Sequence, residues 1–377
     1  MVLFIGGENM EDKFYMLRAL ELARQAEGDT SPNPMVGCVL TDAAGAIIGE
    51  GYHHKAGQPH AEVMALRDMR SKGNEAKLHT AYVTLEPCSH YGRTGPCCKA
   101  LAEAGVKRVV AAMEDPNPKV QGQGFRYLQE AGVEVITGVC QQEAEQLNEK
   151  FLWWITTGQP FVSLKYAMTL DGKIATETGD AKWVTGDAAR RYGHYLRKSH
   201  DAILVGINTI LADDAELTTR MVAGKNPVRI VLDSRARIPL TAKVLQADAE
   251  TIIVVGPDAD AAKLAALAQL PYVQVWQQNQ RGRLFLVALP ELLATMAQHN
   301  LTSVLVEGGS QIHGAFMDAG LYNKIYAFVA PKVLGGTKGL TPVGGAGHLL
   351  MQESTRLTME GPQMLGEDIL LIARRRG

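Results

Sequence analysis

The sequence predicts an α/β protein built as two consecutive units, the first a three-layer α/β/α sandwich and the second a further α/β sheet. Three observations lead there. Helical and strand periodicities alternate along the chain, which places helices between strands. A break at Gly158-Gln159-Pro160 separates two such series. A length of 377 residues exceeds that of one ordinary domain. The expected units are residues 1–157 and 158–377.

Taken in order, Phe14, Leu17, Ala19, Leu20, Leu22 and Ala23 recur at helical spacing and open the first unit with an amphipathic helix. Strand-sized apolar runs follow at 35–40, 46–52, 81–85, 108–112 and 133–137. Pro59 suits a first helical position, so a helix is expected to start there, and Cys97-Cys98-Lys99-Ala100-Leu101 opens another that closes at Gly105. Residues 141–157 read as one polar helix running into Phe151-Leu152-Trp153-Trp154. In the second unit strands are expected at 161–167, 202–206, 228–232, 251–255, 303–306 and 325–330, with helices at 186–197, 290–298 and around 311–319. Residues 240–280 are the least informative, their Ala and Asp reading as solvated faces of short elements.

Composition excludes several classes. A net charge of −2, from 38 basic and 40 acidic residues, gives no electrostatic footprint for a polyanion, and 6% aromatics offer no stacking platform. Nucleic acid is therefore not an expected partner. Five cysteines are an odd number, and two are claimed below for metal, so a disulfide framework is not expected and a reducing cytoplasm is. Cys38, Cys98 and Cys140 read as small buried side chains. No run approaches the roughly 18 apolar residues of a membrane span, and residues 1–12 lack the pattern of a signal peptide.

The chemistry concentrates first at His60-Ala61-Glu62, then Pro87-Cys88 and Cys97. His60, Cys88 and Cys97 make three zinc ligands, and a hydrolytic site stops at three so that water can take the fourth position. One neutral imidazole and two thiolates cancel the charge of the ion, so water there ionises near neutral pH. Glu62, two residues after His60, reaches that water without being a ligand. His-x-Glu followed by Pro-Cys and a second Cys is the signature of zinc deaminases acting on amino-substituted bases. Eight residues separate Cys88 from Cys97, where nucleic-acid and nucleoside deaminases usually have two.

In the second unit the strand at 303–306 runs into Glu307-Gly308-Gly309-Ser310 and a helix, where backbone amides can hold a phosphate. It lacks the Gly-x-Gly-x-x-Gly spacing of a Rossmann site. Polar clusters at Leu170-Asp171-Gly172-Lys173, Trp183-Val184-Thr185-Gly186 and Leu211-Ala212-Asp213-Asp214 lie at strand ends, where α/β sheets bind ligands. Arg197 and Arg220 are candidate anion contacts.

These motifs, with Ser31-Pro32-Asn33-Pro34-Met35-Val36-Gly37 and the run from Gly51 to Glu62, closely resemble the bifunctional riboflavin-biosynthesis deaminase/reductase family, and the likeness spans about residues 11–371. That family uses the long cysteine spacing seen here. The resemblance implies a cytidine-deaminase-like first domain and a dihydrofolate-reductase-like second domain, with zinc and NADPH as cofactors and a small phosphorylated pyrimidine as substrate. It implies a cytoplasmic homo-oligomer, dimer or tetramer. By the same resemblance Asn33 and His53 line the pyrimidine pocket. Ala167, Trp183, Thr209, Asp213, Ser234 and the turn Gly309, Ser310, Gln311, Ile312, His313, Gly314 and Ala315 fall at NADPH. Ala181, Arg197, Leu217, Arg220 and Glu307 fall at the reductase substrate. Ala181 stands where relatives often carry Ser, so a hydroxyl contact is missing. Ser234, after Asp233, suits the cofactor 2′-phosphate and favours NADPH over NADH.

Overall fold

Strands in the first unit carry apolar side chains on both faces, and a sheet with two apolar faces needs a helical layer on each side. A computed structural model describes residues 9–90, 95–118, 120–246, 248–278 and 288–376. Of the sequence readings, residues 91–94 of the loop between Cys88 and Cys97, residues 247 and 279–280 of the uninformative stretch, and residues 1–8 and 377 at the ends of the units lie outside these. The chain divides into two units, Met1–Gly158 and Gln159–Gly377.

In the first unit, strands β1 (Gly37–Thr41), β2 (Ile47–Tyr52), β3 (Thr80–Val83), β4 (Arg108–Ala111) and β5 (Glu134–Thr137) form one sheet. Their order is β2-β1-β3-β4-β5. β1 is antiparallel to β2 and β3, whereas β3, β4 and β5 run parallel. The helices are α1 (Met10–Arg24), α2 (Ala61–Ser71), α3 (Cys97–Glu103), α4 (Gln123–Glu130), α5 (Gln141–Leu147) and α6 (Glu149–Thr157). Because successive strand residues point to opposite faces, Cys38, Leu40, Ala81, Val83 and Val109 pack with Ala65, Leu66 and Met69 of α2, Leu101 of α3 and Leu128 of α4. Val39, Tyr82 and Val110 pack on the other side with Met16, Ala19 and Leu20 of α1 and Ala144 of α5. The result is the expected three-layer sandwich.

Two local expectations need correction. The helix read over 141–157 is broken at Asn148, whose side chain accepts from the Met35 N–H (2.8 Å) and donates to the Met35 carbonyl (2.9 Å). That buried pair holds the chain out of helical continuation. Pro59 is not the first helical residue either. α2 begins at Ala61, with His60 in extended conformation at its N-cap.

The second unit holds β6 (Phe161–Thr169), β7 (Ala202–Gly206), β8 (Val228–Leu232), β9 (Thr251–Val255), β10 (Val273–Gln277), β11 (Ser303–Val306), β12 (Lys324–Ala330), β13 (Leu357–Met359), β14 (Gln363–Leu365) and β15 (Asp368–Arg375). The sheet order is β10-β9-β8-β7-β11-β6-β12-β15-β13, with β14 also on β15. Strands β10 through β12 in that order are parallel, and β15 is antiparallel to β12. Helices α7 (Asp187–Lys198), α8 (Ile207–Asp213), α9 (Ala261–Ala268), α10 (Leu289–Gln298) and α11 (Ser310–Asp318) cover it. α10 and α11 pack on Val162, Leu164, Leu204, Ile230 and Val304, α8 and α9 on Ile203, Val205, Val231 and Ile253, and α7 on Leu305, Tyr326 and Phe328. Six strands were read correctly. Missing from the sequence reading are α8, α9, β10 and the three C-terminal strands. Among the described residues no helix is long and apolar enough to cross a membrane.

Candidate active sites

The first site lies where α2 and α3 begin. His60 is the N-cap of α2, Glu62 sits in its first turn, and Cys97 opens α3. Cys88 reaches them from the loop after β3, tied in by the Cys98 N–H donating to its carbonyl (3.2 Å) and the Cys97 N–H pointing at its sulfur (3.4 Å). His60 Nδ1 lies 3.5 Å from Cys88 Sγ and 3.4 Å from Cys97 Sγ. Tetrahedral zinc, with Zn–S about 2.3 Å and Zn–N about 2.0 Å, would separate such atoms by about 3.6 Å. The three donor atoms lie within 4.8 Å of one another, and no fourth His, Cys, Asp or Glu joins them among the described residues.

Electrostatics of the pocket fit a cation. The Cys88 thiol is driven down to about 4, chiefly by its hydrogen bond with Cys97 and next by His60 against the opposing effect of burial, while the Cys97 thiol is driven up by the same hydrogen bond and by burial. A metal binding both sulfurs as thiolates would release the Cys97 proton. Burial pushes the Glu62 carboxyl up to about 7, with the Cys88 charge adding to it. Its Oε2 is buried without a hydrogen-bond partner. An unpartnered buried carboxylate oxygen is costly unless a bound group completes it.

Asn33 and His53 are brought to the same place and to each other. The Asn33 amide donates to His53 Nε2 (3.1 Å), and His53 Nδ1–H donates to the Pro59 carbonyl (3.1 Å), which fixes the tautomer. Burial lowers the pKa of His53, and its ring stands edge-on to His60 at 5.3 Å. One contributor was not read from sequence. Glu86, buried two residues before Cys88, accepts the N–H groups of Asp115 (3.1 Å), Gly122 (3.0 Å) and Gly124 (2.9 Å). The segment entering α4 is thereby clamped to the cysteine loop, so closely that a Cβ on Gly124 would lie 2.0 Å from the Pro87 carbonyl oxygen. Glu86 stands in the Glu86-Pro87-Cys88 run, but its partners are 29 to 38 residues away and leave no local signal.

The second site is a cavity of about 520 Å³ at the carboxyl ends of β6 and β11. Of the expected residues, Ala167, Ala181, Trp183, Arg197, Arg220, Glu307 and His313 line it. Thr209 and Asp213 lie on α8 after β7, Ser234 follows β8, and Leu217 is buried. None of these lines the cavity, nor does the turn from Gly309 to Ala315 apart from His313. The ends of parallel strands nevertheless share one edge of the sheet. At the cavity floor Arg197 grips Glu307 with two hydrogen bonds, Nε to Oε1 at 2.8 Å and Nη2 to Oε2 at 2.9 Å. Lys165 Nζ stands 3.5 Å from the same carboxylate. Burial alone would raise the pKa of Glu307, but the charges of Arg197 and Lys165 hold it well below the ordinary range. His194, pushed down to about 4 by burial and then by Arg197 and Arg220, stays neutral beside them. Lys165 and His194 were not singled out from sequence.

Room for a phosphate exists at the start of α11. Its N-cap is Gly309, and a Cβ there would meet nothing within 4 Å, so a ligand can approach the helix start closely. Trp183, 60% exposed, rests over the Arg190 guanidinium at 4.7 Å, leaving its other face open.

Residues 160–371 match the RibD C-terminal domain, and residues 9–113 match the cytidine and deoxycytidylate deaminase zinc-binding region. Riboflavin biosynthesis protein RibD of Bacillus amyloliquefaciens is 43% identical over 364 residues, covering 96% of each chain. That of Escherichia coli K12 is 40% identical, covering 96% of this chain and 99% of its own. Among solved structures, Acinetobacter baumannii RibD superposes with a TM-score of 0.84 at 39% identity, over 97% of this chain and 99% of its own. A deaminase/reductase from Thermotoga maritima gives 0.86 at 35% identity with the same coverage. With both domains matched and this likeness along nearly its whole length, the chain belongs to the RibD family of bifunctional riboflavin-biosynthesis enzymes, deaminase and reductase in one polypeptide, using zinc and NADPH.

Proposed function

We propose that residues 1–157 deaminate 2,5-diamino-6-(5-phosphoribosylamino)pyrimidin-4-one and that residues 158–377 reduce the resulting 5-amino-6-(5-phosphoribosylamino)uracil to its ribityl product. The observation that carries this is a set of three metal donors with a buried, unpartnered carboxylate oxygen beside it. Zinc held by His60, Cys88 and Cys97 supplies a Lewis acid that brings the ionisation of water toward neutral pH. Glu62 would take one proton from the water as its oxygen bonds to the ring carbon and pass it to the ring nitrogen, then carry the remaining hydroxyl proton to the amine as the C–N bond breaks, so that ammonia leaves and a carbonyl remains. Its Oε2, buried and without a hydrogen-bond partner, is free to take up and release a proton there. Asn33, held by its amide on His53, has its Oδ1 left for the pyrimidine ring, and His53 lines the pocket beside it.

In the second unit NADPH supplies the hydride. Glu307, held ionised by Arg197, offers acceptors to ribosyl hydroxyls, and Arg220 answers the phosphate. Ala167, Trp183, Thr209, Asp213, Ser234 and the Gly309 to Ala315 turn hold the cofactor along the sheet edge. Ala181 presents only a methyl group to the cavity, so substrate contact there is apolar. We place the enzyme in the cytoplasm as a homodimer or homotetramer. The test is to supply the diaminopyrimidine and NADPH together and follow ammonia release and cofactor absorbance separately. Ammonia first, with oxidation following, is expected. Oxidation without prior ammonia would overturn the order of steps.

A further inference from the structure

Helix α7 brings Arg190, His194 and Arg197 to the reductase cavity, spaced so that they share one face of the helix. Arg197 is taken up by Glu307, but the guanidinium of Arg190 is engaged differently. Its Nη1 donates to the Thr185 carbonyl at 2.8 Å, and its Nη2 pairs with the Asp187 carboxylate in the first turn of the helix. The side chain is only 27% exposed, so this is not a freely solvated charge. N–H donors of a guanidinium lie in its plane, which leaves a flat face for another group. Here that group is the Trp183 ring, its centroid 4.7 Å from Cζ. The backbone around Trp183 is tied as well: its carbonyl accepts from Lys332 Nζ at 2.8 Å, and Lys182 Nζ lies 3.4 Å from Asp213 Oδ1 on α8. The indole itself remains exposed. An exposed ring on a loop samples several rotamers unless something beneath it holds one of them. Arg190 supplies that support at the edge of a cavity that both side chains line.

We propose that Arg190 is a positioning residue of the reductase, holding the Trp183 indole as a plate on which the nicotinamide ring of the cofactor stacks. This rests on the reading of the cavity as the reductase site with Trp183 at NADPH. Flat rings gain most from an offset stack, and a ring held in place beforehand loses less rotamer freedom on binding than one the ligand must order. A guanidinium suits this task better than an ammonium, because one planar group meets the carbonyl, the carboxylate and the aromatic face together. Asp187 acts one step further back, fixing the plane of Arg190.

The experiment is a double-mutant cycle on the full-length zinc-loaded protein, with NADPH binding followed by calorimetry in the absence of pyrimidine. Arg190→Met is expected to weaken NADPH roughly tenfold, and Trp183→Leu at least as much. Adding Arg190→Met to Trp183→Leu should cost less than about twofold more, because the arginine then has no ring to hold. The same factor lost in both backgrounds would show Arg190 acting on its own and overturn the proposal. Asp187→Asn, a change at an exposed position, should give a smaller loss that also vanishes in the Trp183→Leu protein. It keeps the idea testable if Arg190→Met folds poorly, and an equal loss in both backgrounds counts against it too. With Trp153, Trp154 and Trp276 replaced by Phe, time-resolved anisotropy should show faster motion of the Trp183 ring in Arg190→Met than in its absence, and unchanged motion would contradict the support. Trp183→Leu also separates the two levels. If it weakens NADPH while Arg190→Met does not, only the positioning role fails. If it leaves NADPH binding intact, the cofactor does not stack there and both fall.

Discussion

Replacing Arg197 by Met tests the buried centre of the reductase cavity. Arg197 and Glu307 have side chains only 15% and 9% exposed and form a two-bond pair, so removing the guanidinium strands a carboxylate in a poorly solvated place. Breaking such a pair from one side costs about 3–5 kcal/mol. Lys165, 3.5 Å from the same carboxylate, remains as a partial counter-charge, which puts the cost near the lower end, about 3 kcal/mol. For a unit of this size that is a fall of about 6–12 °C in its transition. The sign with pH follows from Glu307. In the wild type its folded pKa is depressed, so its stabilisation is present above its unfolded value of about 4.3 and is lost as pH falls through the lower folded value. Without Arg197, burial becomes the larger influence and raises that pKa, so the variant loses stability as pH rises. The cost should accordingly be greater at pH 8 than at pH 5. Scanning calorimetry of the full-length protein reads this in the transition that NADPH shifts upward. Glu307→Gln added to Arg197→Met should recover most of the loss. A single variant melting within about 1 °C of wild type at both pH values would refute the reasoning.

Glu62→Gln should keep its zinc yet lose deamination by about 10²–10⁴-fold, while NADPH oxidation with already deaminated substrate continues. Retained deamination, measured as ammonia, would remove Glu62 from proton transfer. Cys88→Ser should lower zinc content and ammonia release together and spare NADPH binding, measured on the same preparation. Gly124→Ala forces a Cβ against the Pro87 carbonyl, and the resulting displacement of the cysteine loop should cost more than about 2 kcal/mol in the deaminase unit, read by urea unfolding, with faster loss of zinc to a chelator. Wild-type zinc retention at those urea concentrations would contradict the clamp.

Strands with apolar side chains on both faces were legible because a fully buried run needs no partner to announce itself: β1, β3, β4, β7, β8, β9 and β11 all fall where the sequence puts them. β10 is a half-exposed edge strand with no buried residue, and β13 and β14 are three residues each, too short for a period to show. β15 follows a glycine-rich stretch, and its apolar run Ile369 to Ala373 gives no hint that it pairs with β12. The metal donors were legible because their chemistry fixes residue types at short spacing. Glu86, Lys165 and His194 were not, because what distinguishes them is burial and charge supplied by residues far along the chain. Asn148 escaped for a similar reason: its helix-breaking partner is Met35, 113 residues away.

The most direct test is metal analysis combined with zinc X-ray absorption on the purified protein. One zinc per chain is expected, surrounded by one nitrogen, two sulfurs and a single light atom from solvent. Metal-free protein that still releases ammonia, or a fourth protein ligand closing the shell, would contradict a hydrolytic centre built on His60, Cys88 and Cys97.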